Sequence, residues 1–165
     1  MKRALLLLAA VAALAGCGGS SKQAATTSTA STPRPPGPGT VLYAGGPWAV
    51  VLHGGTATAY HLVGRTWHPD RSAQVKIDIL GPKPGETVTS IPQIAIQMTA
   101  TTPLIESGLW VDGTELGVKG GGIKPEQGTI YGAPAAKLAP GVHTAVGYGR
   151  TDATGTAVAW RFTVR

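Results

Sequence analysis

What this chain lacks narrows it first. One cysteine, Cys17, stands in 165 residues. No disulfide can form within the chain, so the fold must hold by burial and hydrogen bonding. Carboxylates are few, 8 Asp and Glu against 14 Lys and Arg, for a formal charge of +6. They are scattered, and nothing pairs two of them as a general acid and base would need. Helix formers such as Glu, Gln and Lys are sparse, which argues against a helical body. The apolar run from Ala4 to Ala15 is too short for the roughly 20 residues that a bilayer core needs. Lys and Arg form no cluster beyond Lys2-Arg3, so nucleic acid is excluded as a partner.

What is present begins with an export signal. Lys2 and Arg3 form a positive start, Ala4 to Ala15 an apolar stretch, and Ala15 and Gly16 the small residues before a cleavage site. Leu14-Ala15-Gly16-Cys17 resembles a bacterial lipobox. The resemblance implies cleavage between Gly16 and Cys17 and lipidation of the Cys17 sulfur. It places the protein at the cell membrane, lipid-anchored on the extracytoplasmic face. Each buried methylene contributes about 0.8 kcal/mol, and two or more chains anchor stably where one does not. The competing reading is a plain secretory signal with an incidental cysteine. Removing Lys2 and Arg3 leaves +4, a balance that suits anionic lipid or wall polymer.

Composition divides the chain into four segments. Residues 1–16 are the signal, and 17–40 are a lipidated cysteine with a Thr/Ser/Pro-rich linker. No periodic apolar face exists there to offset the entropy of ordering. Residues 41–72 hold β-prone runs separated by Gly45-Gly46, Gly54-Gly55 and Gly64-Arg65, which are hairpin signals. About 30 residues bury too little to stand alone. This small meander is therefore expected to dock on the larger C-terminal domain through Trp48, Tyr60 and Trp67.

Residues 73–165 are that main domain. Val75, Ile77 and Ile79 alternate with polar residues, as do Ile94, Ile96 and Met98, and Asp112-Gly113 marks a tight hairpin. Gly120-Gly121-Gly122 reads as a loop. The fold class is all-β, an antiparallel sandwich preceded by the meander. Over 75–165 the residues carry a resemblance. Trp110-Val111-Asp112-Gly113, Leu138 to His143, Asp152 to Gly155 and Trp160 to Val164 resemble bacterial Ig-like domains of the CopC-like type. The resemblance implies an Ig-like sandwich and says little of function. Trp160 and Phe162 should fill the core, with Trp110 packing on them from the opposite sheet. His143 sits where such sandwiches often carry a corner tyrosine, with a backbone hydrogen bond as its expected role.

Chemistry is thin. CopC binds copper, which raises a metal reading with His53, His61 and His68 as weak ligand candidates. No paired His-x-His accompanies them, and the expectation is no metal and no cofactor. Ser90 and Ser107 read as loop residues with no Gly-x-Ser-x-Gly around them, and Glu106 as a turn residue; no enzyme activity is expected. Tyr43, Trp48, Tyr60 and Trp67 could instead form an aromatic platform. The expected role is a non-catalytic binding or scaffolding module at the cell envelope, with an envelope polysaccharide or another envelope protein as partner. Alternatives are CopC-like metal handling and an accessory subunit of an envelope enzyme or transporter.

Overall fold

Short runs of Val, Ile, Thr and aromatic residues, cut by glycine and proline turns, form thirteen strands among the described residues. The computed structural model describes residues 33–35, 37–89 and 91–165. The signal segment with Gly16, Cys17 and the linker through residue 32, and also Pro36 and Ser90, lie outside them.

The first four strands make a meander in sequential order: β1 (Thr40–Gly45), β2 (Trp48–His53), β3 (Thr56–Val63) and β4 (Thr66–Pro69). Its turns are Gly46-Pro47, Gly54-Gly55 and Gly64-Arg65. Gly54 and Gly55 sit at φ 56° and 83°, the mirror-image turn geometry whose twist matches the flanking strands. The main domain adds β5 (Val75–Gly81), β6 (Thr87–Val88), β7 (Ile94–Ala100), β8 (Glu106–Val111), β9 (Thr114–Glu115), β10 (Lys119–Lys124), β11 (Gln127–Gly132), β12 (Gly141–Arg150) and β13 (Gly155–Val164). An outer sheet has the order β10-β11-β7-β5, and a central sheet β6-β13-β12-β8-β9. All pairings are antiparallel except β6 with β13. The chain is an all-β sandwich of the Ig-like kind.

The central sheet is covered on both faces. On one face Leu109, Val111, Ala145, Trp160, Phe162 and Val164 meet Ile94, Ile96, Met98 and Ile130 of the outer sheet. On the other, Trp110, Val146, Tyr148, Ala157 and Ala159 meet Val50, Ala57, Ala59 and Leu52 of the meander. Strict alternation along β8, β12 and β13 sorts the side chains between the two cores. The protein is thus a stack of three layers: meander, central sheet, outer sheet. β12 can host both cores because its sandwich face is small. A Cβ on Gly147 would lie 2.9 Å from Ile96 Cδ1, and one on Gly149 2.5 Å from Met98 Sδ.

Two expectations need correction. Trp110 does not face Trp160 and Phe162 from the opposite sheet. It shares their sheet and points the other way, into the meander core, because Leu109 and Val111 on either side of it face the sandwich. The sandwich core is filled instead by Trp160, whose Nε1 donates to Pro82 O at 2.8 Å. Gly120-Gly121-Gly122 is not a loop but the middle of β10, paired with β11.

Candidate binding groove

The four early aromatics do not form one platform. β2 and β3 alternate, so Trp48 turns inward, 4% exposed, while Tyr60 lies on the opposite face from Ala59. Tyr43 also turns inward. Its ring centroid is 5.6 Å from that of Tyr148, and its hydroxyl donates to Glu106 Oε1 at 2.6 Å. Arg150 Nε donates to Glu106 Oε2 at 2.5 Å, and its guanidinium lies 5.5 Å from the Trp48 ring centre. Burial, then the Glu106 bond, pushes the Tyr43 phenol up to about 12. At the other end Asp70 Oδ2 accepts from Thr154 Oγ1 at 2.9 Å and from Gly155 N at 2.8 Å. These bonds latch the meander to the central sheet. The Tyr148 hydroxyl is enclosed between the layers with no partner among the described residues. Trp67 is tied elsewhere: its Nε1 donates to Pro33 O at 2.8 Å. Pro33, Arg34 and Pro35 line a small pocket with Trp67 and Ala44 to Gly46.

The histidines separate in the same way. His61 and His68 are directly opposed across β3 and β4, with His61 against Trp48 at 5.3 Å between ring centres. His53 sits at the far end of β2, opposite Thr56. Among the described residues no three His, Cys, Asp or Glu side chains are placed to share a metal ion.

His143 is buried at the start of β12, its ring stacked on Phe162 at 5.7 Å. Nδ1 faces Asp112 Oδ2 at 2.6 Å and Nε2 faces Ala139 O at 2.8 Å. Both partners are acceptors, so the ring that satisfies both is the imidazolium, donating from each nitrogen. The Asp112 bond raises its pKa above 6.5; burial opposes this and the Ala139 bond adds to it. Asp112 is held in turn. It has φ 49° in the turn with Gly113 at 83°, the Asp-Gly geometry that turn requires, and its Oδ1 accepts from Thr144 N at 2.9 Å. His143 therefore ties the β8–β9 turn to the segment before β12. Those two stretches wall a second, mostly apolar pocket of about 350 Å³ lined by Val111, Leu116, Pro134 and Leu138.

A groove of about 720 Å³ opens beside the outer sheet. One wall is β10 and β11, with Gly120, Gly121, Gly122, Gly128 and Ile130; the other is Leu104, Ile105, Glu106 and Ser107, with Met98 at the floor. Ser107 and Glu106 belong to β8 rather than to loops or turns. β10 is the last strand of the outer sheet, so its outward N–H and C=O groups carry no strand partner among the described residues. The glycines shape the wall. Gly120 has φ 154°, and its Cβ would fall 2.0 Å from Thr129 O; a Cβ on Gly122 would fall 2.0 Å from Gln127 O. Sequence reasoning missed this site because glycine has no side chain to alternate. The remaining signal was the flanking pair, Lys119 and Lys124. The groove offers backbone groups, Ser, Thr and Gln hydrogen bonding and exposed Ile105 (55%). Its one carboxylate, Glu106, is engaged by Tyr43 and Arg150.

Comparison with protein-family models and with curated proteins finds no match.

Proposed function

We propose that this chain is a lipid-anchored lipoprotein of the bacterial cell envelope whose β domain is a non-catalytic binding module. The module holds an extended polymer in the groove between β10–β11 and residues 104–107. The observation that carries the reading is that groove, open along an unpaired strand edge. Its volume of about 720 Å³ falls within the range of ligand clefts, about 300–1,000 Å³. Both Glu106 oxygens are already held, by Tyr43 and Arg150, which favours a structural part for this carboxylate over turnover. The likeness to CopC-like domains fits the sandwich. The directly opposed His61 and His68 favour metal handling as the second reading.

The test uses the full-length protein in detergent micelles, labelled with ¹⁵N, titrated with solubilised envelope polysaccharide and with peptides from exported proteins. Saturable amide shifts confined to residues 104–107 and 119–130 are expected with one of them. Saturable shifts elsewhere, or none with either, would overturn the groove reading.

A further inference from the structure

Resting on the groove reading, we infer that the free edge of β10 takes up an extended strand of a partner protein as a fifth strand of the outer sheet. The strand carries an acid, an aromatic and a second acid at alternate positions.

The pattern comes from the register. Lys119, Gly121 and Lys124 oppose Tyr131, Thr129 and Gln127, and the bulge between Gly121 and Lys124 keeps all three on one face. That face is the solvent side, because Ile130 between them is in the core. The two lysines are thus four strand positions apart, about 13 Å at roughly 3.3 Å per residue. Both are exposed, and neither is in an ion pair among the described residues.

Gly121 separates the lysines, and the fold does not call for a glycine there. Nothing described lies within 4 Å of where its Cβ would be, unlike Gly120 and Gly122 on either side. The sheet is therefore bare at that point. Edge glycines are stabilised when an aromatic ring on the neighbouring strand covers them, and carboxylates opposite the lysines add favourable cross-strand pairs. The intervening residues of the added strand lie on the groove face of the sheet, the side on which Leu104 and the exposed Ile105 stand, which selects apolar side chains. Main-chain hydrogen bonds supply affinity in this mode and alternate side chains supply specificity.

A second copy of β10 is a poor occupant. Antiparallel pairing would set lysine near lysine, and like charges opposite one another are destabilising. Lysines and a bulge also keep an edge from pairing with itself; here the same charges select an acidic strand. A glycan has little to stack on, since Tyr131 is the one aromatic of the outer sheet's strands.

The test offers the ¹⁵N-labelled full-length protein a capped peptide, Thr-Glu-Val-Tyr-Val-Glu-Thr, and three controls: Lys for both Glu, Ala for Tyr, and a scrambled order. The first should bind saturably and slow amide exchange within 119–124. Ala for Tyr should weaken binding by about tenfold, and the Lys peptide should not bind. Lys119→Glu with Lys124→Glu should reverse the charge preference, and Gly121→Val should keep the fold by circular dichroism while removing the preference for Tyr over Ala. Equal binding of the scrambled peptide, or slowed exchange elsewhere, would overturn the inference. If polysaccharide slows exchange at 119–130 and no peptide does, the strand inference fails and the groove reading stands. If neither acts there, both fail.

Discussion

His143 is held between a carboxylate and a carbonyl, and that arrangement has a pH signature. Its folded pKa lies above 6.5, chiefly through the Asp112 bond. A raised pKa means that the folded state holds the proton more tightly than the unfolded chain does. The contribution to stability is therefore complete below about pH 6.5 and is lost as pH rises through the raised value. The neutral ring keeps one donor and must give up a bond. Urea midpoints measured from pH 5 to pH 9 should show the wild type losing about 1–2 kcal/mol relative to His143→Gln across that window. A gap that stays constant with pH would contradict this. The corner position of His143 was legible from Pro140-Gly141 and the strand after it. Asp112 was legible only as a turn residue, since its partner lies 31 positions away.

At the scale of elements, the central sheet decides how the layers join. β8 ends Leu109-Trp110-Val111, all buried, and β12 is buried almost throughout its second half. Such continuous apolar runs mark strands covered on both faces. Period-two alternation tells which residues share a face; it does not tell which neighbour covers that face, and this is why Trp110 was misplaced. Its ring is the largest that the central sheet gives to the meander core, lying across Gly108, where a Cβ would meet Trp110 Cη2 at 2.4 Å. Trp110→Ala should cost about 3–5 kcal/mol. Hydrogen exchange should show the loss of protection falling first on β1–β4, with β5, β7 and β11 affected later. Equal loss in all three layers would show that the meander core has no separate energetic role.

For the whole molecule, glycine and proline punctuation with alternating apolar residues was enough to read an all-β sandwich. The edge strand β10 was hidden, because three glycines carry no pattern and their strand exists only through pairing with β11. The proposed anchor is open to a direct check. Cys17→Ser should abolish incorporation of labelled palmitate and move the protein from the membrane fraction to the medium or periplasm; retained label would sink the lipoprotein reading.

The clasp between Trp67 and Pro33 fixes where residues 33–35 meet the meander. The meander is one outer layer of a stack whose layers are spaced by roughly 10 Å, and the edge of β10 belongs to the layer on the other side of the central sheet. A strand taken up at that edge would leave the Trp67–Pro33 bond untouched, so Trp67→Phe should remove the clasp without changing what the outer sheet can accept.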